Sequence, residues 1–336
     1  MTATLNRPTA PRALQGRQYL TVGAFVVLVG VLGPLVGATR SAQFLVNLWL
    51  VYAVAGLGFY WIFGLAGRFA FCQTFMMALG GYVSAFVSRM LGPQAFLLSV
   101  AAGTLAAAVV ATVLGLAVRK AQHFYFAIAT FAVAQIGTAV FSQATGFTGT
   151  NGQAVGIPPI TLGGLELVQD REVFWFFLAV LGLALLLAVW IERSPLRRAA
   201  VAARDNRLVA DLAGVRSSRV QVTLFALGSA LGGLAGALVG HWQGVIATDS
   251  FGIDLAIGLF LMLLLGGVSS PWGPVIGAAV FVALPHLLSG TEAYGPILYG
   301  VLLLVVVLVM PQGIVGGIRS LVRRSRREEV SDDAAG

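Results

Sequence analysis

Charged side chains are scarce in this sequence. Asp, Glu, Lys and Arg make up only 10% of its 336 residues, whereas 58% are hydrophobic. Soluble globular domains carry about 25% charged residues, so a soluble chain of this composition could not cover its surface with polar groups. The shortage excludes a soluble protein and predicts an all-α polytopic membrane protein whose surface is covered by lipid.

Acidic residues are fewer than basic ones, and the formal net charge is +8. In a soluble protein this excess would suggest nucleic acid as a partner. Here the basic residues lie between and beyond long apolar runs. We therefore interpret them as determinants of membrane topology and as contacts with anionic lipid, and we expect no nucleic acid.

Cysteine and lysine each occur once, as Cys72 and Lys120. One thiol forms no internal disulfide and no CxxC motif, so Cys72 is interpreted as a small packing residue. The phosphate-binding loop GxxxxGK(S/T) is absent, because no glycine stands directly before Lys120. The chain is therefore not expected to bind ATP by that route.

Ionisable residues are nearly missing from the apolar runs. His123, His241, His286 and Asp254 lie near the ends of such runs, and we interpret them as interfacial or locally satisfied groups. Since no His or acidic pair has metal-ligand or hydrolytic spacing, we predict neither an enzyme nor a cofactor or metal site. Ion-coupled carriers usually bury ionisable residues in the membrane, so a secondary carrier working alone is disfavoured.

Long apolar runs are abundant. A helix needs roughly 20 apolar residues to cross the hydrocarbon core. The sequence predicts about ten membrane-spanning helices, over residues 20–38, 42–64, 69–90, 95–118, 122–143, 173–191, 220–242, 252–268, 273–289 and 294–311. The third is interrupted by polar residues, so it is either fully transmembrane or re-entrant.

Arginine is unevenly distributed between the connections. If the N-terminus is cytoplasmic, only three arginines face outward: Arg40, Arg89 and Arg171. This positive-inside pattern predicts both termini in the cytoplasm. The resulting organisation is a cytoplasmic segment over 1–19, a membrane domain over 20–317 and a basic, then acidic, disordered tail over 318–336. Two connections are long, an external one over 144–172 and an internal one over 192–219.

Glycine and alanine are dense in several spans. Small residues let helices pack closely in lipid, and glycine also lets a helix break, as helices lining a substrate path commonly do. Candidate positions for a break are Gly64, Gly67, Gly266, Gly267 and Gly273. LVNLWLVYAVAGLGFYWIFGLAGRFAF and DLAIGLFLMLLLGGVSSPWGPVI each run from an apolar helix into such a break, which suggests two similar halves arranged as an inverted repeat.

The internal connection has the pattern of a helix outside the membrane. Apolar residues recur at Val201, Leu208, Leu212 and Val215, so we predict one helix over 199–213 that ends before Gly214. A mixed apolar and charged face suits docking to a cytosolic partner. Resting on the lipid surface is the alternative. The candidate docking residues are Arg204, Asp205, Leu208, Asp211, Leu212 and Gly214.

Uncharged polar residues lie in or beside otherwise apolar segments at Gln73, Thr74, Gln135 and Asn151. Such groups are costly near lipid unless they serve packing or a solute. We predict that they line a substrate path, with hydrogen bonding between helices as the alternative.

A set of motifs, in order along the chain over roughly 45–317, resembles the permeases of branched-chain amino acid ABC transporters of the LivM type. YFAIATFAVAQI and TGFTGTNGQAVGIP are similar to two consecutive family elements. RDNRLVADLAGV resembles the family's coupling loop, LLLGGVSSPWGPVIGAAV a glycine-rich element, and MPQGI the family's closing motif. The set is specific, although each piece alone is weak.

The resemblance implies a permease subunit in a bacterial plasma membrane. Its partners would be a related, LivH-like permease subunit, two cytosolic ATPase subunits that hydrolyse ATP, and an extracytoplasmic solute-binding protein. Two departures leave the solute open: GRFAFCQTFMMALGGY stands where the family has GQLSLGHAAFFGIGAY, and Gln135 replaces an acidic residue. Urea, amides or aromatic acids are therefore alternatives to branched-chain amino acids.

Overall fold

The structure, a computed structural model, describes residues 12–119 except 38, together with 121, 123–287, 313, 314, 316 and 317. Its α-helices are α1 (Arg12–Val36), α2 (Arg40–Phe59), α3 (Gln73–Leu91), α4 (Phe96–Ala117), α5 (His123–Gln143), α6 (Thr145–Thr148), α7 (Asp170–Arg193), α8 (Pro195–Asp205), α9 (Arg207–Leu212), α10 (Ser217–Gln243), α11 (Ile253–Gly266) and α12 (Trp272–Leu287). A π-helical segment, Tyr60–Leu65, continues α2. Short 3-10 helices occupy Pro93–Ala95, Thr150–Gly152 and Thr248–Phe251.

Seven helical stretches in the described part are long and apolar enough to cross a membrane: Arg40–Leu65, Gln73–Leu91, Pro93–Ala117, Phe124–Gln143, Asp170–Arg193, Ser217–Gln243 and Thr248–Gly266. Two shorter apolar stretches, Tyr19–Pro34 and Trp272–His286, belong to α1 and α12. The first nine predicted spans thus fall on helices. The tenth, over 294–311, lies outside the described residues, so the count of ten and the side of each terminus stay predictions.

Helix ends follow local chemistry. The Thr39 side chain accepts a hydrogen bond from the Ala42 amide at 3.3 Å and caps α2. Helix α7 has Asp170 in its first turn and Arg193 in its last, matching the helix dipole. Gly244 ends α10 with φ of 69°, a left-handed conformation that favours glycine.

Helix α10 is the centre of the bundle. It packs against α3 and α4 on one side and α2 on the other, while α2 also contacts α7 and α12. The α3–α10 approach depends on glycine: a Cβ atom at Gly80 would collide with the backbone of Gly233, and one at Gly236 with the backbone of Met77. Such backbone-to-backbone packing is how small residues associate helices in lipid.

The predicted helix breaks coincide with helix ends. The π-helical segment stops at Leu65, and Gly67 has φ of 68°. Helix α11 ends at Gly266, and the next residue, Gly267, has φ of 111°. Helix α12 then begins at Trp272. Glycine is needed at both turns because only it adopts these angles without strain.

The 144–172 connection adds a little β-structure to the helical bundle. Strand β1 (Gln153–Val155) pairs antiparallel with β4 (Val245–Ala247), and β2 (Ile160–Leu162) with β3 (Leu165–Leu167). Because β4 follows α10 directly, the first pairing attaches the connection to the end of the central helix.

The predicted single helix over 199–213 is wrong. The structure has two helices there, α8 and α9, separated by Asn206 with φ of −153° and ψ of 103°. The Asn206 side chain accepts a hydrogen bond from the Val209 amide at 3.1 Å, so it begins a new helix where an apolar periodicity suggested continuation. Helix α8 also begins earlier than predicted, at Pro195, a residue favoured in the first helical turn.

Candidate transport path and coupling loop

Gln73 lies at the start of α3, directly after the break that follows the π-helical segment. Its side chain is 1% exposed, and its Nε2 donates a hydrogen bond to the Gly228 carbonyl on α10 at 3.0 Å. Cβ atoms at Gly58 on α2 or Gly232 on α10 would crowd this amide. Glycines on two helices therefore make the room in which a polar group joins α3 to α10.

The two ends of the Gln73 amide differ. Nε2 makes the interhelical bond, whereas Oε1 is buried with no hydrogen-bond partner in the described part of the chain. A buried acceptor without a partner is costly, on the order of 1–3 kcal/mol. Hydrogen bonding between helices therefore explains the Nε2 end of this side chain and leaves the Oε1 end unexplained. The role of Gln73 in a substrate path stays a prediction.

Thr74 and Gln135 lie together, on a different side of α3. They line one narrow cavity between α3, α5 and the start of α11, together with Phe71, Phe131 and Thr138. Thr74 is buried, while Gln135 is exposed on the outer surface of α5. The structure thus brings two of the four predicted path residues to one place, and Gln73 points elsewhere, to α10.

Asn151 lies in the 3-10 turn Thr150–Gly152, and its side chain falls outside what the structure describes. The turn itself is firmly held. The Tyr82 hydroxyl donates to the Gly152 carbonyl at 2.6 Å and lies 2.8 Å from Thr248 Oγ1, which also donates to Gly152 at 3.0 Å. Tyr82 and Thr248 were not predicted, because they lie 166 positions apart and share no motif.

His241 fixes the 144–172 connection to the bundle. Its Nδ1 is 2.7 Å from the Pro158 carbonyl, which only accepts, so Nδ1 carries the proton. Nε2 lies 2.9 Å from the Ser84 hydroxyl, so both ring nitrogens have hydrogen-bond partners. The prediction that this histidine is locally satisfied is confirmed.

Helix α9 presents the two predicted docking leucines outward. Leu208 is 71% exposed and Leu212 is 81% exposed, while Ala210 on the opposite side is buried. Asp211 accepts a hydrogen bond from the Ser217 amide at 3.1 Å and lies 3.9 Å from Arg207. Hydrogen bonding from Ser217, and then the charge of Arg207, lower the pKa of Asp211, which therefore stays ionised.

The remaining predicted loop residues lie on either side of this surface. Arg204 turns inward and donates to the Gly64 carbonyl at 2.6 Å, and Asp205 lies 3.5 Å from Arg204. Gly214, with φ of 83°, turns the chain from α9 towards α10. The loop therefore exposes Leu208 and Leu212, while Arg204 and the buried alanines of α8 and α9 lie towards the spans.

Arg68, one of the departures from the family pattern, is linked to the loop residue Arg207 through a shared carbonyl. It is 5% exposed, its guanidinium lies 4.7 Å from the Phe126 ring centre, and it donates to the Arg119 carbonyl at 3.4 Å. Arg207 donates to the same carbonyl. Burial, and then the charge of Arg207, lower the pKa of Arg68 to about 10, so it remains a cation at neutral pH.

Glycine-packed spans, buried uncharged polar groups and two exposed leucines outside the spans define a multi-pass membrane protein. The chain belongs to the family described as "Branched-chain amino acid transport system / permease component", whose model matches residues 41–310. The resemblance noted in the sequence is confirmed.

Individual relatives agree with this assignment. The chain is similar to the high-affinity branched-chain amino acid transport system permease protein LivM of Salmonella typhimurium, with 26% identity over 82% of this chain and 70% of that protein. It is 29% identical to LivH of Escherichia coli over 81% of this chain and 93% of LivH. BraD of Pseudomonas aeruginosa is 25% identical over 79% and 91% respectively. No solved structure matches the chain.

By name, these relatives are permease proteins of transport systems. The motif set identified the family correctly, whereas the three-glycine surroundings of Gln73 and the anchoring roles of Tyr82 and His241 went unnoticed. Each depends on residues far apart in sequence, and no spacing rule connects them.

Proposed function

We propose that the chain is the transmembrane permease subunit of an ATP-binding-cassette importer that moves branched-chain amino acids across a bacterial plasma membrane. The observation that carries the proposal is the family match over residues 41–310, which covers most of the bundle. The names of the LivM, LivH and BraD relatives support the solute. Urea, amides and aromatic acids are the alternative solutes to be tested against branched-chain amino acids.

The solute path proposed here passes Gln73, Thr74, Gln135 and Asn151. In support, Thr74 and Gln135 share a cavity, and Gln73 keeps an unpaired buried oxygen. Uncharged hydrogen-bond donors and acceptors suit a zwitterionic or neutral solute, because they bind it without holding it through a strong ion pair.

A second permease subunit is the proposed partner within the membrane. Relatives of both the LivM and LivH types match this chain, which is consistent with two related subunits. Helix α5 offers a surface for this partner, since only 22% of its most apolar stretch is buried within the chain. An extracytoplasmic solute-binding protein would deliver the solute to the side of the 144–172 connection, and both termini would be cytoplasmic.

Energy is proposed to enter through α9, from two cytosolic ATPase subunits. Helices α8 and α9 lie between two spans, and their inner side is attached to the bundle by Arg204 and Arg207. This leaves Leu208 and Leu212 free to dock into an apolar groove of a partner.

The test is reconstitution of this chain in proteoliposomes with the ATPase, second permease and binding protein encoded beside it. ATP-dependent uptake of labelled leucine, isoleucine or valine is the expected result. Uptake of labelled urea, an amide or phenylalanine in their place would change the solute. Uptake by this chain alone, driven by an ion gradient without ATP, would replace the importer with a secondary carrier.

A further inference from the structure

The π-helical segment Tyr60–Leu65 interrupts the regular winding of the second span. It is the single π-helical element in the described ranges. Such segments are rare and occur frequently at functional sites. In this chain, Arg68 donates its amide to the Ile62 carbonyl at 3.0 Å, and Gly67 donates to Phe63 at 3.0 Å, so the segment winds directly into the loop that leads to α3.

One end of this segment is attached to the internal loop through Tyr60. The Tyr60 ring is 1% exposed, and its hydroxyl donates a hydrogen bond to Glu192 Oε1 at 2.5 Å. Glu192 lies in the last turn of α7, and its other oxygen forms an ion pair with Arg197 of α8 at 2.9 Å. A buried tyrosine is thus connected through one carboxylate to the first turns of α8.

The other end is attached through Arg204, in the last turn of α8. Its Nη1 donates to the Gly64 carbonyl at 2.6 Å, and its aliphatic part packs so closely on Gly67 that a Cβ atom there would collide with it. The π-helical segment is therefore held at Tyr60 by Glu192 of α7, which pairs with Arg197 of α8, and at Gly64 by Arg204 of α8.

The segment also leads to Gln73 and Thr74, two residues of the proposed solute path, and packs on the turn between α11 and α12. It runs through Gly67 into the turn that begins α3, where Gln73 and Thr74 are the first two residues. A Cβ atom at Gly64 would lie 2.8 Å from the Val268 carbonyl, in the turn between α11 and α12. A displacement of α8 thus has a direct covalent and packing route to these residues.

We propose that the π-helical segment transmits movement of the 192–219 loop to Gln73 and Thr74, with Tyr60, Glu192 and Arg204 as positioning residues. The inference rests on the proposed function, because it needs an ATP-driven partner on α9. It differs from a purely structural role, in which Arg204 would only satisfy the last carbonyls of a helix. A transmission element uncouples hydrolysis from uptake when weakened, whereas a structural contact lowers both with the amount of assembled complex.

The experiment compares Tyr60→Phe with Tyr52→Phe in the reconstituted complex. Both remove one hydroxyl from the same helix, but Tyr52 lies outside the π-helical segment. We expect Tyr60→Phe to leave the amount of complex and the ATP hydrolysis rate near wild type. Uptake per ATP should fall by roughly 10- to 150-fold, the loss expected of one hydrogen bond to a charged group. Tyr52→Phe should keep the wild-type ratio.

A second pair tests the other end. Arg204→Gln should lower uptake per ATP in the same way, and Arg204→Lys should restore part of it, because an ammonium also donates to a carbonyl. Unchanged ratios in Tyr60→Phe and Arg204→Gln would overturn the inference while wild-type, ATP-dependent uptake kept the proposed function. A fall in hydrolysis and uptake in proportion to lost complex would also overturn it. Absence of ATP-dependent uptake in the wild type would overturn both.

Discussion

Replacing both Leu208 and Leu212 with Asp should detach the permease from its energy source without disturbing its fold. The two side chains are 71% and 81% exposed, and they lie on α9, outside the candidate spans. Surface substitutions that remove no buried contact usually change stability by less than about 0.5 kcal/mol. The double variant should therefore insert and fold like the wild type.

The effect on docking is much larger. Full burial of a leucine contributes roughly 1.5–3 kcal/mol, and the exposed fractions of 71% and 81% leave most of that contribution for a partner. Together the two residues offer roughly 2–4.5 kcal/mol, which corresponds to a loss of about 30- to 2,000-fold in affinity. Two buried carboxylates without partners would add to the loss.

The assay is co-purification with the ATPase, followed by solute-stimulated ATP hydrolysis and uptake. The matched control is the double variant Ala202→Asp, Ala213→Asp, which adds the same charge at two exposed positions of the same loop and removes no leucine. The control should retain complex and uptake. If the leucine variant also kept complex, hydrolysis and uptake at wild-type levels, α9 would not be the docking element.

Three further outcomes are expected. Gly236→Ala should lower the melting temperature of the purified protein, because the added Cβ atom would collide with the backbone of α3. Gly146→Ala should leave the melting temperature unchanged, because no atom lies within 4 Å of a Cβ atom there. Equal melting temperatures for the two variants would contradict the packing argument. In a variant that lacks the native cysteine, Thr150→Cys should react with an impermeant thiol reagent from outside the membrane and Asp205→Cys from inside. Labelling of both from outside would exclude the topology with a cytoplasmic 192–219 loop. Gln73→Leu should reduce uptake and leave assembly intact, and normal uptake would remove Gln73 from the solute path.

Much of the architecture was predictable because lipid imposes a length on every apolar run. Nine predicted spans fall on helices for that reason. The prediction failed at Asn206, where side-chain capping of the Val209 amide outweighed a helical apolar periodicity. Of the site, the exposure of Leu208 and Leu212 followed from their spacing on a polar helix.

Composition, run length and short motifs were therefore enough to predict the membrane class, nine of the ten helical segments and the family. The tertiary structure decided how the polar residues are used: Gln73 lies among glycines of other helices, and Thr74 meets Gln135 at a cavity. It also decided that the π-helical segment is held by Glu192 and Arg204, at sequence separations of 132 and 140 residues. No local pattern records such contacts, because they form only when helices distant in sequence pack against one another.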